Sequence, residues 1–362
     1  MPVSTEAEPR PQLKEGIALQ RNLGPVMISN KVLAPNFLSR HGRPFSAESI
    51  YEITGVQRRY WYQNVGERPD PLEAEEHKRT NLSYIALETA KATLKKKGWS
   101  AEKLDMICVS SCIPTGHDLP KFIKEELRAV NSDPVTVYTG HTGPVYFLKE
   151  KGELRGRNLN LLLISVDRLI AIMESGDFHS SLFSEGSVGI AASIGKDANC
   201  DIEIVDASFE IRESDVIQLP IINELIPPGS LTLRMPNDTK YFKMDGPRVI
   251  PELEKGNLNL LLREIAGPPN RRGNHLIVPH PGSKKIVDFI EQKTNEQGIR
   301  SRVTRLTLAD GNLASGGAIG ELAEVVASGL IKQGDEATIV GVGPGLAYGA
   351  IRLRFNKTPI IS

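Results

Sequence analysis

Val137 to Leu148 read VYTGHTGPVYFL. A β-prone run ends in Thr139-Gly140, one histidine follows, and Thr142-Gly143-Pro144 opens an apolar helix. His141 therefore stands on a tight strand-to-helix turn. It is either a reactive group on display or a residue filling a special corner. The surrounding elements bear on the choice. DMICVSS before it reads as a buried strand and LPKFIKEELRAV as a helix. PVTVYTG is the strand that ends at the histidine, and LNLLLISVD closes the unit with another strand.

The second half of the chain repeats this grammar. HLIVPHPG is a short buried strand and turn, KKIVDFIEQKTNEQG a helix, and RVTRLTLADG a strand. A turn then leads into the apolar helix of NLASGGAIGELAEVVASGLIKQG, and EATIVGVGPG is the closing strand. PELEKGNLNLLLREIAG precedes the second unit as one helix. The helix of YIALETAKATLKKKG precedes the first, with Ile85, Leu87, Ala90 and Leu94 on its apolar face and Gly98 as its stop. The register agrees: 31 residues separate Ser110 from His141, and 32 separate His280 from Asn312. The pattern predicts an α/β fold made of two diverged βαβαβ halves. It divides the chain into a loose polar arm over 1–24, a first half over 25–200 and a second half over 201–362. Strand C-terminal ends are where α/β proteins hold ligands, and His141, His280 and Asn312 all fall at such ends.

Composition narrows the function. The chain has 362 residues, 40% apolar and 24% charged, with 44 basic residues against 44 acidic ones. That balance gives no pull toward nucleic acid or an anionic membrane. No apolar run is long enough to span a bilayer, and the N-terminus carries no hydrophobic signal core, so a cytoplasmic location is expected. Cys108, Cys112 and Cys200 form neither a disulfide framework nor a zinc pattern. VGVGPG follows a strand with no helix after it and is no dinucleotide fingerprint.

Five stretches together carry a resemblance: EITGVQRRY (52–60), GHTGPVYFL (140–148), HPGSKKI (280–286), DGNLASGG (310–317) and the C-terminal GVGPGLAYGAIRLRF. In order and spacing the chain resembles the β-ketoacyl-acyl-carrier-protein synthase III branch of the thiolase superfamily, from about Pro25 to Phe355. The resemblance implies a thiolase fold, with the two pseudo-twofold-related halves packed as a five-layer αβαβα core, and a homodimer. It implies acyl-thioester chemistry on phosphopantetheine, borne by an acyl carrier protein or coenzyme A, with no tightly bound cofactor and no metal. The family's histidine falls on His280 and its asparagine on Asn312, and its nucleophilic cysteine falls on His141. Ser283 replaces a site asparagine. Gly246 keeps a Met-x-Gly-x-x-Val pattern in the substrate region, and Lys284 and Lys285 stand where the family meets its acidic carrier. Ser49 and Ile53 replace the tryptophan and arginine that flank the adenine of coenzyme A. Ser184 and Glu185 depart from the Gly-Asp of another loop.

A thiol at a helix N-terminus is activated as thiolate, and the same dipole disfavours protonated imidazole. His141 is therefore expected to be neutral, able to accept a proton, donate a hydrogen bond or attack an acyl carbon. An acyl-imidazole is a poor store for a two-step condensation and adequate for rapid transfer or hydrolysis. The reading that follows is an acyltransferase without condensation: acyl transfer to a small nucleophile, hydrolysis or malonyl decarboxylation, in specialised biosynthesis. His280 and Asn312 would polarise the carbonyl. One alternative is a non-catalytic partner subunit, heterodimeric with an active ketosynthase. Another is a conventional synthase with Cys112 as relocated nucleophile. A buried structural role competes for His141, His280 and Asn312. A metal held by His141 and His280 lacks a third ligand. The tunnel loops are expected over 69–79 and 212–240.

Overall fold

A computed structural model describes residues 15–39, 42–62, 81–113, 118–152, 158–174, 176–195, 198–219, 230–232, 242–266 and 273–361. Positions 69–79 and most of 212–240 lie outside the described residues, as does 1–14 of the expected arm. Five strands belong to the first half of the sheet: β1 (Ala18–Leu23), β2 (Met106–Ser110), β3 (Asp133–Tyr138), β4 (Leu159–Asp167) and β5 (Gly186–Gly195). Five more follow: β6 (Ile202–Ile211), β7 (His275–Pro279), β8 (Arg302–Val303), β9 (Glu336–Gly343) and β10 (Ala347–Phe355).

The order is β3-β2-β4-β5-β1 in the first set and β8-β7-β9-β10-β6 in the second. The senses agree as well. β2 runs parallel to β3 and β4, and β7 runs parallel to β8 and β9. β5 is antiparallel to β4 and β1, and β10 is antiparallel to β9 and β6. A short parallel pairing, Ile194 with Ile202 and Gly195 with Glu203, joins the sets into one continuous sheet.

Six helices complete the layers: α1 (Leu82–Lys97), α2 (Leu119–Leu127), α3 (Gly143–Gly152), α4 (Leu258–Ile265), α5 (Lys284–Glu296) and α6 (Gly317–Ala327). α1 and α2 pack on the first five strands, and α4 and α5 on the second five. α3 and α6 lie between the two sets, since α3 touches β3 as well as β6, β9 and β10, and α6 touches β1 as well as β7 and β9. The sequence explains that placement. α6 reads GAIGELAEVVA and is buried almost all round, the composition of a helix with no solvent face. β2 is buried at every position, as a parallel strand covered on both sides must be. Each fully buried Val, Leu or Ile there contributes about 1.5–3 kcal/mol, so the strand ends that carry the site are stiffly mounted.

Three expectations change. Ala18–Leu23, expected within the arm over 1–24, is a strand that pairs antiparallel with β5. Asp201 anchors that strand's start. It accepts from Gly16 N (2.9 Å) and Ser193 N (2.8 Å) and pairs with the buried Lys97 at 2.7 Å. PELEKGNLNLLLREIAG is two helices, the end of Gly246–Lys255 and then α4, because Gly256 takes an extended conformation between them. RVTRLTLADG holds only the two strand residues of β8 before a turn at Leu308–Asp310. No described helix is long and apolar enough to cross a membrane.

Candidate active site

β3 ends at Tyr138, and the chain turns through Gly140 (φ 61°) into the one-turn helix Gly140–Thr142 and then α3. Two glycines make this turn possible. A Cβ at Gly140, already in the left-handed region, would stand 2.5 Å from Pro344 Cδ. One at Gly143 would stand 2.0 Å from Ser110 Oγ. His141 is thereby pressed into the interior, 5% exposed. β7 ends at Pro279, and His280 N donates to Val340 O at 2.7 Å across β9. Asn312 is held at both backbone groups: its N donates to Leu182 O (2.8 Å), and its O accepts from Ser184 N (2.9 Å). Its Oδ1 accepts from Ala314 N at 2.8 Å, which turns Nδ2 away as the available donor.

The three residues expected at strand ends therefore meet, His141 and His280 just past strand ends and Asn312 from the loop that follows β8 and the turn Leu308–Asp310. The rings of His141 and His280 lie 4.7 Å apart between centroids, tilted by 32°. His280 and Asn312 both crowd the start of α6: a Cβ at Gly317 would stand 2.5 Å from His280 Nδ1 and 3.0 Å from Asn312 Oδ1. Phe183, which no motif singled out for this role, closes the His141 side with its ring centroid at 5.8 Å.

Burial dominates the electrostatics. It lowers the pKa of His141 to about 3. It drives His280 well below the usual imidazole range, and the neighbouring His141 pushes the same way. Both rings are neutral at ordinary pH. His141 Nε2 and both ring nitrogens of His280 have no hydrogen-bond partner among the described residues. Two neutral imidazoles with uncommitted nitrogens make good hydrogen-bond donors and weak resting bases. The neutrality expected of His141 from the helix dipole is present, with burial as its cause.

Asp167, at the end of β4, braces the site from below. It accepts from Cys112 N (2.7 Å) and Ser111 Oγ (3.0 Å) through Oδ1, and from Ser315 N (2.8 Å) through Oδ2. It thus ties the end of β2 to the loop carrying Asn312. Burial raises its pKa against those hydrogen bonds. Cys112 hangs on the same brace. Burial, and then the Asp167 charge, push its thiol well above the ordinary range, the reverse of an activated thiolate.

A largely apolar cleft of about 260 Å³ opens beside the pair. Ser283, Lys285 and Gly246 line it, with Gly282, Leu182 and His179. Ser283 caps α5, its Oγ accepting from Ile286 N at 3.3 Å. Lys284 is not in the described wall; its ammonium pairs with Asp288. His141, His280 and Asn312 are not in that wall either. Gly282 is the link, since a Cβ there would lie 3.2 Å from His280 Nε2. No group of three His, Cys, Asp or Glu side chains is placed to hold a metal among the described residues.

No family model matches the chain. It is 26% identical over 318 residues to the β-ketoacyl-[acyl-carrier-protein] synthase III of Clostridium perfringens strain SM101, covering 85% of this chain and 91% of that one. The Aquifex aeolicus enzyme of the same name is 22% identical over 286 residues, covering 77% and 85%. The solved 3-oxoacyl-(acyl carrier protein) synthase III of Pseudomonas aeruginosa PAO1 superposes with a TM-score of 0.69 at 20% identity, over 95% of this chain and 98% of that one. The chain is similar to the β-ketoacyl-[acyl-carrier-protein] synthases III and has the thiolase fold. A second neighbour in fold, the priming β-ketosynthase of the R1128 polyketide pathway, gives 0.71 at 19% identity over 95% and 96%. Asp167 and Phe183 carry no local signal in the sequence, because their partners come from distant segments.

Proposed function

We propose that this synthase III-like protein processes acyl thioesters carried on phosphopantetheine without condensing them, and transfers the acyl group to a small nucleophile. The relatives' names supply the substrate class. The observation that carries the rest is the pair of buried, neutral imidazoles at 4.7 Å, one of them on the turn where the family resemblance places a cysteine. With no thiol on that turn and a protonated, buried Cys112, the acyl group has no durable covalent store. What remains is a donor set. His280 and Asn312 Nδ2 hydrogen-bond the thioester oxygen and stabilise the oxyanion that forms on attack. His141 packs against the His280 ring, which burial keeps neutral, and donates or accepts a transient hydrogen bond. The pantetheine arm would lie in the apolar cleft past Gly246, Ser283 and Gly282, with Lys285 toward the phosphate and the carrier protein. A homodimer in the cytoplasm fits this reading.

The experiment is turnover of acyl- and malonyl-thioesters on pantetheine, coenzyme A and a carrier protein, with hydroxyl and amine acceptors. Water supplies the hydrolytic outcome, and loss of CO2 the decarboxylative one. Losing one oxyanion donor costs about 10²–10³ in kcat, so His280→Ala should fall by that much. His141→Ala should fall as well. Equal rates for the natural protein and His141→Ala remove His141 from the mechanism. An acyl adduct on Cys112 returns the case to a conventional synthase.

A second reading has its own support. His280 is fully buried, and the described cleft wall stops at Gly282 short of the imidazoles. A site so closed fits a non-catalytic partner that shapes an active homologue. Turnover only in a mixed complex with a cysteine-bearing ketosynthase would establish it.

A further inference from the structure

The donor set above lacks a base. Transfer to a hydroxyl, an amine or water needs a group that takes the acceptor's proton, and burial makes both His141 and His280 poor resting acceptors. The cleft holds a third histidine that differs in every relevant respect. His179 lies on the one-turn helix Phe178–Leu182 with Asp177 as N-cap. Asp177 Oδ1 accepts from His179 N at 2.9 Å and lies 2.8 Å from His179 Nδ1. A carboxylate on Nδ1 keeps the ring proton there and leaves Nε2 with its lone pair. Nε2 faces Gly246 in the cleft, where a Cβ would stand 3.8 Å from it. The ring has no other hydrogen-bond partner among the described residues. The two side chains are 24% and 19% exposed, so a charge formed on the ring is solvated and lies beside a carboxylate. Burial opposes the charge on Asp177, and the hydrogen bonds from the His179 ring and backbone outweigh it, holding the carboxyl below its usual range.

The dyad is linked to the donor set through Leu182. In a helix of this type residues i and i+3 eclipse, with a rise of about 2 Å per residue. His179 and Leu182 therefore share one edge, about 6 Å apart along the axis, and both line the cleft. Leu182 O is the acceptor that holds Asn312 N.

We propose that His179, positioned by Asp177, is the general base for the acceptor. This rests on the acyl-transfer reading. His179 Nε2 takes the proton of the acceptor's O–H or N–H, and the acceptor oxygen or nitrogen bonds to the thioester carbon. The oxyanion is held by His280 and Asn312, the C–S bond breaks, and the pantetheine sulfur leaves with the proton returned from His179. The products are an ester, amide or acid and a free pantetheine thiol. Asp177 is a positioning residue.

Asp177→Asn is the discriminating variant. Asp177 Oδ1 meets both His179 N and Nδ1, so an asparagine Oδ1 in its place still accepts from both, and what the variant removes is the negative charge that stabilises the imidazolium formed when Nε2 takes a proton. The cap survives and the base is weakened. Positioned general-base catalysis is worth about 10²–10⁴, so Asp177→Asn and His179→Gln should each lose at least about 10² in kcat with an alcohol acceptor. Hydroxylamine attacks thioesters without base assistance, so it should restore both variants to within a few-fold of the natural protein and leave His280→Ala slow. Unchanged alcohol-dependent rates in both variants overturn the proposal. So does an equal loss with hydroxylamine, which marks a structural or pantetheine-binding role. If the natural protein turns over no thioester even with hydroxylamine, the acyl-transfer reading itself fails and this proposal with it.

Discussion

Acid stability tests the imidazole pair without reference to any substrate. The perturbation is His141→Gln, close in size and without a titrating group. In the unfolded chain histidine titrates near 6.5, while His141 in the folded protein titrates at about 3. Above pH 6.5 both states are neutral, and the residue contributes nothing to the pH dependence. Below it the unfolded chain takes up a proton that the folded protein refuses, so stability falls by about 1.4 kcal/mol per pH unit until the pH approaches the folded value. At pH 5 the loss from His141 is about 2 kcal/mol. His280 is pushed in the same direction, and burial lowers His275 to about 4. His141 and His275 together cost roughly 4 kcal/mol at pH 5, a large share of the 5–15 kcal/mol typical of a folded protein, and His280 adds in the same direction. Asp167 and Glu185, raised by burial, work the other way, since the folded state takes up their protons at a higher pH than the unfolded chain. Both groups are common to the natural protein and the variant, so the comparison between the two isolates the histidine. Urea unfolding at pH 7.5 and pH 5 should show His141→Gln losing about 2 kcal/mol less than the natural protein. Removing His141 also relieves His280, which increases the difference. Equal losses in the two proteins would mean that the ring is solvated, and the neutral-donor chemistry would lose its basis.

Gly317→Ala places a methyl 2.5 Å from His280 Nδ1 and 3.0 Å from Asn312 Oδ1. Ordinary contact needs about 1 Å more, and a shift of that size in a catalytic group costs about 10² in rate; unchanged kcat with a folded protein would show that the donors need not hold this geometry. Lys97→Met leaves Asp201 charged, buried and unpaired where the natural protein has a 2.7 Å ion pair. It should cost about 3–5 kcal/mol in denaturant unfolding, with Lys97→Met/Asp201→Asn recovering part; a loss under 1 kcal/mol would mean that the pair does not pin β1 and the join between the strand sets.

What the sequence shows plainly is whatever repeats or has a local period. The 31- and 32-residue spacings point to His141, His280 and Asn312 as equivalent positions, and the same strand order in both sets shows why they converge, although Asn312 comes from the loop after β8 and not from a strand end. The turn of Gly140 and Gly143 is legible too, as a Thr-Gly and Thr-Gly-Pro break between strand and helix, and neither glycine has room for a side chain. The missed groups depend on distance. Asp167 ends a strand with no motif about it, and its partners lie 55 residues before it and 148 after it. β1 reads as arm because its two buried residues, Ala18 and Leu19, are followed by four half-buried ones that show no alternation. His179 sits in GDFHSSLF, where Asp and His two apart resemble any polar turn until the cleft is seen beside them.

On the proposed reading, an imidazole in place of sulfur on the His141 turn makes sense only with the rest of the site taken together. A thiolate site concentrates nucleophile and donors in one dry place, because the thiolate is both stable there and reactive. An imidazole in the same dry place is driven neutral and loses its value as a base, yet its N–H and that of His280 keep full value for holding an oxyanion. Proton transfer then has to move to a wetter position, and the described cleft offers one with a carboxylate behind it. Dry donors at His280 and Asn312 and a solvated dyad at His179 and Asp177 divide between two places what a cysteine site does in one. That division suits a single acyl transfer to an acceptor that arrives through the cleft, and it suits poorly a reaction that must keep its acyl group waiting for a second substrate.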